Sequence, residues 1–317
     1  MEIHPKVTQI SIWWDKVQDE VNVYLIRGQK NAIIDTGPPD AHKGGIYTTL
    51  RALDLALDDI DLILNTHWHI DHAGGDAAIK AVSGAKILIH RDDAFFVKDH
   101  RGSFDKWDAP VIEALKGSEY LEQAKAAFMD WQGAEINVDQ IDQQLEDNDL
   151  IDIGDGIELR VIHLPGHTAG SVGFYWEKEG MIFTGDSVSG LYGSEGSLPI
   201  IDDFPAYRKS VERLLEISPR LLLCAHQYRG LNLPRFPIRR GEEVRQFLLD
   251  SQETAKMIVE VVGHVASTSG QQSLSDITDK VIAELPESMG YRPMSQLPSP
   301  IHTARTVFQC LNQLNSF

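Results

Sequence analysis

The sequence has few of the features that mark secreted or membrane proteins. Its two cysteines, Cys224 and Cys310, lie far apart, so disulfide bonds are not expected to hold the fold. No apolar run reaches the length of a membrane-spanning helix, and the first residues contain no apolar stretch typical of a signal peptide. We therefore expect a cytoplasmic protein without a membrane partner.

Basic residues are also scarce. The 317 residues include 29 Lys plus Arg against 47 Asp plus Glu, a net charge of −18, which repels phosphate backbones. The sequence lacks a long basic run and the Gly-x-Ser-x-Gly motif of serine hydrolases. A nucleic-acid partner and a serine nucleophile are therefore not expected.

Metal-ligand side chains, in contrast, are concentrated in one short segment. Thr66-His67-Trp68-His69-Ile70-Asp71-His72 carries three imidazoles and a carboxylate. The apolar run before it predicts a strand over 60–65, and the segment after it predicts a helix over 76–82. A strand-to-helix turn is a usual place for chemistry in α/β proteins. A solvated histidine-rich loop is the alternative, but Asp71 adds an oxygen ligand that such a loop would not need.

Three more apolar runs each end in a ligand-type residue, namely His167, Asp186 and His226. Taken singly, a His or Asp after a strand is more often a turn or capping residue. Together with the first segment they provide five imidazoles and two carboxylates at successive strand ends. This set suits two metal ions that share a carboxylate and a water or hydroxide.

Five motifs then occur in a fixed order within roughly residues 20 to 230: Ile34-Asp35-Thr36-Gly37, the His67–His72 turn, Pro165-Gly166-His167-Thr168, Thr184-Gly185-Asp186 and Ala225-His226. In these the chain resembles the metallo-β-lactamase superfamily, especially its glyoxalase-II-like hydrolases. The resemblance implies an α/β fold, the αββα sandwich, with the metals at one edge. It further implies two ligand groups, a bridging residue and a supporting residue: His67, His69 and His167 for one metal, Asp71, His72 and His226 for the other, Asp186 between them, and Asp35 orienting the ligand loop.

The chain is predicted to divide into a metallo-β-lactamase-fold domain over residues 1–235 and a helical extension over residues 236–317. Residues 91–150 form a helical insertion in the first domain, with helices expected over 93–97, 109–116 and 118–131. The acidic segment 139–149 is expected to be a solvated loop. The insertion and the extension are expected to shape the substrate pocket, because the sandwich leaves its metal edge open.

The ligand set predicts a dinuclear zinc hydrolase, with iron or manganese as alternative metals. Two zinc ions would lower the pKa of a shared water to about 7, and the resulting hydroxide would attack an acyl carbonyl. Asp71 is expected to relay a proton as well. We expect a thioesterase; a lactonase of the same fold, or a sulfur dioxygenase with a single iron, is the alternative.

The substrate is expected to be a small acyl compound, for which a coenzyme A thioester is one candidate. Arg239 and Arg240 belong to the one basic cluster of the chain, which either binds phosphates or begins a solvated helix. Trp107 and Phe96 of the insertion either line an apolar channel or pack its helices onto the sheet. The sequence leaves open whether the protein forms a homodimer.

Overall fold

Two mixed β-sheets lie face to face in the structure, a computed structural model that describes residues 1–15, 19–129, 137–191, 196–268, 270 and 272–314. The first sheet has seven strands in chain order, β1 to β7: Glu2–His4, Val7–Trp14, Asp19–Arg27, Asn31–Ile34, Leu62–Leu64, Lys86–His90 and Gln143–Leu145. Strands β1 to β4 pair antiparallel, whereas β4 to β7 pair parallel.

The second sheet has six strands, β8 to β13, also arranged in chain order: Leu150–Gly154, Ile157–His163, Val172–Trp176, Met181–Gly185, Leu221–Cys224 and Ile238–Arg240. Only β11 and β12 pair parallel; the other neighbours are antiparallel. The carboxyl ends of β5, β9, β11 and β12 lie at the same edge of the sandwich, and the candidate ligands follow these ends.

Several strands are apolar at every position because both faces of each sheet are buried. Ile34 and Leu64 point into the core between the two sheets, whereas Ile33 and Ile63 point outwards into a second core beneath the helices. In the second sheet, Leu223 faces the inner core and Leu222 faces an outer core. Helices therefore cover both outer faces, which is the αββα arrangement expected from the sequence.

Eleven α-helices occur in the described residues. They are α1 to α11: Gly45–Ala52, Ile70–Ala73, Asp76–Ser83, Ala94–Lys98, His100–Trp107, Ala109–Ala114, Leu121–Met129, Phe204–Ile217, Glu242–Thr268, Leu274–Glu284 and Pro300–Leu314. Within the described part of the chain, none of them is both long and apolar enough to cross a membrane.

Two predicted segments differ from the structure. The acidic segment 139–149 is not entirely loop, because β7 extends the first sheet within it; only Leu145 of that strand is buried, which leaves too short an apolar pattern to recognise. The extension is not helical from its start, since β13 first pairs with β12. The last residues of the helix predicted over 118–131 lie outside the described residues.

Side chains join the insertion to the extension. The Tyr120 hydroxyl donates to Asp279, and the Gln123 amide donates to the carbonyl oxygen of Leu297. Helix α11 also packs on α6 and α7. We call α5–α7 together with α10 and α11 the helical cap.

Candidate metal centre

The sandwich edge gathers the seven predicted ligands. The first segment follows β5 and places His69 immediately before the short helix α2, so that Asp71 and His72 lie in its single turn. Asp186 follows β11 directly, and His226 lies two residues after β12. Strand ends from both sheets therefore bring together residues that are up to 159 positions apart, from 67 to 226.

Three imidazoles form the first group. Nε2 of His67 lies 3.1 Å from Nδ1 of His69 and 3.2 Å from Nε2 of His167. The nitrogens of His69 and His167 are 2.9 Å apart. Tetrahedral zinc with Zn–N bonds of about 2.0–2.1 Å separates its ligands by ~3.3 Å, so this triangle has nearly the size that a zinc ion requires.

A second group lies beside the first. Oδ2 of Asp71 is 3.2 Å from Nε2 of His226 and 3.5 Å from Nε2 of His72. Oδ2 of Asp186 lies 3.4 Å from Nε2 of His72, 3.5 Å from Nε2 of His226 and 3.7 Å from Nε2 of His167. Asp186 thus lies between the two groups, in contact distance of both.

The chemistry of these atoms fits bound metal ions. Three ring nitrogens directed at one point cannot all pair with one another, because each neutral imidazole carries a single N–H. Nε2 of His72 and Oδ1 of Asp186 are buried without a hydrogen-bond partner in the part of the chain that the structure describes. Buried polar atoms are normally paired, and metal ions would supply the missing partners.

Hydrogen bonds on the far side of the His167 and His226 rings set their tautomers. Nδ1 of His167 donates to the carbonyl oxygen of Ile200 at 2.8 Å, and Nδ1 of His226 donates to that of Glu20 at 3.0 Å. Because carbonyl oxygens only accept, the neutral form of each of these two rings carries its proton on Nδ1, and its Nε2 lone pair then faces the centre.

Asp35 organises the first ligand segment. Its carboxylate accepts hydrogen bonds from the Thr66 backbone N–H and hydroxyl, both at 2.8 Å, and from Nδ1 of His72 at 2.9 Å. Gly185 adopts a φ of +51°, and a Cβ there would collide with the Thr66 side chain. Asp35 therefore lies beside the cluster of candidate ligands and contacts one of them, His72.

The two groups differ in electrostatics. Burial lowers the pKa of His67 well below its ordinary value, and the neighbouring imidazoles lower it further. Burial acts in the same direction on His226, but the carboxylates of Asp186 and Asp71 outweigh it and raise its pKa to about 9. For Asp186, the imidazoles outweigh the effect of burial and lower the pKa to about 2. The first group thus holds neutral nitrogens, and the second is rich in paired charge.

Sequence reasoning missed Asp93. Its buried carboxylate accepts from the Trp68 N–H at 3.2 Å, from the Thr168 hydroxyl at 2.7 Å and from the Gly170 N–H at 2.9 Å. It therefore joins the two loops that carry His69 and His167. Asp93 follows the end of β6, just as the candidate ligands follow the ends of other strands, and this position could have identified it. The helix predicted over 93–97 begins at Asp93, so the sequence pattern assigns the residue to that helix.

His163 lies outside both groups. Its Nε2 donates to the carbonyl oxygen of Ala169 at 2.9 Å, and its ring stacks on His90 at 4.1 Å with an interplanar angle of 12°. It therefore supports the loop that follows His167.

Arg239 does not have the access that a phosphate clamp requires. It is 1% exposed, and its guanidinium donates to the carbonyl oxygens of Tyr228 and Pro234 and lies over the Phe247 ring. A long basic side chain is amphipathic, so its stem and its planar head can both be used in packing. This placement corrects the prediction that Arg239 contacts substrate.

Arg240 is exposed, but it lies at the end of the sheet opposite the candidate ligands. It pairs with Leu221, the residue of β12 furthest from His226. The side chains of Arg239 and Arg240 therefore cannot bind the phosphates of one substrate molecule at the metal edge. Their closeness in sequence was misleading because neighbouring strand residues point to opposite faces.

The two predicted pocket aromatics have different surroundings. Phe96 is 5% exposed and packs on Trp68, which in turn lies 4.4 Å from the His69 ring, centroid to centroid. Trp107 is half-buried, and its ring faces the guanidinium of Arg305 in the helical cap at 5.5 Å. Phe96 thus belongs to the core beneath the ligands, whereas Trp107 remains a candidate for contact with substrate.

Several known proteins are similar to part of this chain. A beta-lactamase-like protein 2 homolog of Drosophila melanogaster is 31% identical over 65% of this chain and 58% of that protein. A hydroxyacylglutathione hydrolase of Maricaulis maris is 29% identical over 64% of this chain and 59% of that enzyme. The chain thus spans less than two thirds of these two relatives. An acyl-coenzyme A thioesterase MBLAC2 of Bos taurus is 29% identical over 65% of this chain and 71% of that enzyme.

A solved structure extends the likeness to nearly the whole fold. A metallo-beta-lactamase family protein of Thermus thermophilus superposes with a TM-score of 0.73 and 18% identity, covering 99% of this chain and 95% of that one. The family model of the metallo-beta-lactamase superfamily matches residues 17–226, a range that includes every residue of both ligand groups. The resemblance drawn from the motifs is therefore confirmed, and the chain belongs to the metallo-β-lactamase superfamily.

Proposed function

We propose that this protein is a dinuclear zinc-dependent hydrolase of thioesters. The observation that carries the proposal is the position of Asp186, whose Oδ2 lies within 3.7 Å of nitrogens from both ligand groups. One carboxylate that reaches two adjacent sets of buried ligands suits a pair of metal ions.

His67, His69 and His167 would hold one ion, and Asp71, His72 and His226 the other, with Asp186 shared. When bound, such ions supply Lewis acidity, which lowers the pKa of a water molecule and polarises an acyl carbonyl. The protein's contribution is to hold these side chains in place before substrate arrives.

The surrounding residues perform that positioning. Asp35 accepts a hydrogen bond from the Nδ1–H of His72, so that the Nε2 of the neutral ring presents its lone pair to the centre. Among the ligands of the second group, Asp71 is the most accessible: its side chain is 17% exposed, against 1% or less for His72 and His226. Asp71 can therefore exchange a proton with solvent or substrate, which supports its proposed role as a proton relay.

The choice of a thioester follows from the leaving group. A thiol has a pKa of about 8.5 and departs as a thiolate without being protonated, whereas an amine must receive a proton. Among the seven clustered side chains this proposal gives a proton-transfer role to Asp71 alone, which is also used as a ligand, so a leaving group that needs no proton suits the site better. The hydroxyacylglutathione hydrolase and the acyl-coenzyme A thioesterase among the similar proteins support the same substrate class.

The test combines metal analysis with a substrate panel. Protein purified without added metal would be analysed for zinc, iron and manganese, then loaded with zinc and assayed on an acyl-coenzyme A, an acylglutathione and a lactone. Two zinc ions per chain and turnover of a thioester are expected. Turnover of the lactone alone would identify a lactonase, and one iron per chain with oxygen uptake would identify a sulfur dioxygenase.

A further inference from the structure

A buried ion cluster lies apart from the seven ligands. Arg305 on α11 is 4% exposed, and its guanidinium donates from Nε to Oδ1 of Asp202 at 2.8 Å, from Nη2 to Oδ2 of the same residue, and from Nη1 to Oδ1 of Asp108 at 3.2 Å. Both carboxylates are also buried. Ion pairs in such places often contribute little net stability, because desolvation opposes the attraction. Their geometry is therefore of greater interest than their energy.

The three residues belong to three different parts of the chain. Asp108 precedes α6 in the helical insertion, Asp202 lies in the segment between β11 and α8, and Arg305 lies in the C-terminal extension. The guanidinium of Arg305 contacts both carboxylates. It therefore links the extension, on which it lies, to the insertion through Asp108 and to the sandwich through Asp202.

That sandwich segment holds His167. The carbonyl oxygen of Ile200 accepts a hydrogen bond from the Nδ1–H of His167, and two residues later the Asp202 N–H donates to the carbonyl oxygen of Gly166 at 2.8 Å. Gly166 has a φ of +137°, and a Cβ there would collide with the backbone of Tyr207. The segment from 200 to 202 is thus hydrogen-bonded both to the His167 ring and to the backbone of the preceding residue, Gly166.

Helix α11 fixes the same segment at neighbouring points. The Thr303 hydroxyl accepts from the Leu198 N–H at 3.1 Å, and the Thr306 hydroxyl donates to the carbonyl oxygen of Pro199 at 2.8 Å. With Arg305, these contacts define one face of α11 against residues 198–202. The orientation of His167 therefore depends on how α11 is docked.

We propose that Arg305 is a positioning residue for His167, and that through Asp202 it couples docking of the helical cap to metal binding by His67, His69 and His167. The inference rests on the metal centre of the proposed function. Coupling of this kind is reciprocal: if cap docking strengthens metal binding, metal binding must strengthen cap docking to the same extent.

The test uses the full-length chain freed of metal, with zinc affinity measured by competition against a chromophoric chelator. Arg305→Met removes the charge and both carboxylate contacts, and we expect zinc to bind about 10–100-fold more weakly, the range found for residues that support metal ligands. Arg305→Lys keeps the charge but cannot contact both oxygens of Asp202, so its effect should be intermediate.

Tyr120→Phe is the matched control. It removes a hydrogen bond between the insertion and the extension, to Asp279, without touching residues 198–202. Its zinc affinity should stay within about twofold of the unmodified protein. An equal loss in both variants would show that any loosening of the cap weakens the centre, and would overturn the specific role of Arg305.

Hydrogen exchange provides a readout independent of turnover. In the unmodified protein, zinc should slow amide exchange in residues 198–202 and in α11, and Arg305→Met should abolish this protection in α11. If Arg305→Met does not fold, Asp202→Asn, which keeps the side-chain volume, is measured by the same criteria. Unchanged zinc affinity in the soluble variant would refute the inference, whereas failure of the unmodified protein to bind zinc would refute the proposed function itself.

Discussion

The sandwich edge and the helical cap are built in different ways. At the edge, each ligand follows a strand end, and backbone carbonyl groups such as those of Ile200 and Glu20 hold the rings. The cap is held by side chains distant in sequence, such as Arg305 with Asp202, 103 positions apart, and Tyr120 with Asp279. Main-chain acceptors therefore orient two of the rings at the edge, whereas side-chain contacts hold the two parts of the cap together.

This difference predicts separable effects of mutation. Changes at the edge should alter metal content and rate for every substrate. Changes in the cap should alter the choice among substrates and leave the metals in place, except at Arg305, where cap and edge are joined.

The largest effect is expected from Asp186→Ala. Removing the carboxylate shared by both ligand groups should lower zinc content from two ions to at most one and abolish nearly all turnover. Metal analysis and rates on two unrelated substrates provide the measurement. His163→Ala, whose ring lies outside both groups, should retain both ions; a loss of zinc equal to that in His167→Ala would mean that the wrong imidazole has been assigned.

Asp35→Asn should have the next largest effect. An amide cannot accept from Thr66 and from His72 as the two carboxylate oxygens do, so zinc affinity should fall about 10–100-fold. The control is Asp142→Asn, because Asp142 also accepts a backbone N–H, that of Ile87, but far from the ligands. If both variants bind zinc equally well, Asp35 does not orient the centre.

Trp107→Ala tests the cap. We expect it to change the ratio of rates between long and short acyl chains by about tenfold, the scale of one or two methylene contacts, with both zinc ions retained. Phe96→Ala should instead lower stability by about 3–5 kcal/mol without a change in that ratio, because Phe96 is a core residue. Identical selectivity in Trp107→Ala and the unmodified protein would remove Trp107 from the pocket.

The smallest expected effect concerns pH and His90, at the end of β6. Burial and the stacked His163 lower its pKa to about 4; Asp92 and Glu146 oppose this, and Arg91 adds to it. In the unfolded chain a histidine titrates near 6.5. Between about pH 6.5 and 4 the unfolded state therefore binds more protons, and stability falls as the pH falls.

His90→Phe keeps a stacked ring but removes the proton site. Between pH 7 and 5, its Tm should fall about 2–4 °C less than that of the unmodified protein, corresponding to roughly 1 kcal/mol. His264→Gln, which changes an exposed imidazole on α9, should follow the unmodified protein. Parallel curves for all three proteins would contradict the assignment to His90.

Much of the fold could be predicted because its signals are local. The strand predicted over 60–65 and the helix predicted over 76–82 correspond to β5 and α3, and the αββα architecture and the family are confirmed. The seven proposed ligands could be found because each follows an apolar run that predicts a strand. The structure brings these strand ends together at one edge. Their role as metal ligands stays a prediction.

The remaining features have no local pattern. Strand β7 has a single buried residue, Leu145, so it lacks the alternation that would distinguish it from an acidic loop. Arg305 looks like any basic residue on an amphipathic helix until the fold brings it to Asp202. Backbone acceptors such as Ile200 are invisible in principle, because any residue type offers the same carbonyl group.

The distribution of the seven clustered residues along the chain also sets an order in time. During synthesis, His67 leaves the ribosome about 160 residues before His226, and at about 5–20 residues per second this interval is on the order of 8–30 seconds. The nascent chain therefore presents a cluster of three imidazoles and a carboxylate before their partners exist. The segment 198–202, which contacts His167 and Gly166, likewise precedes α11, the helix that packs against it, by about 100 residues.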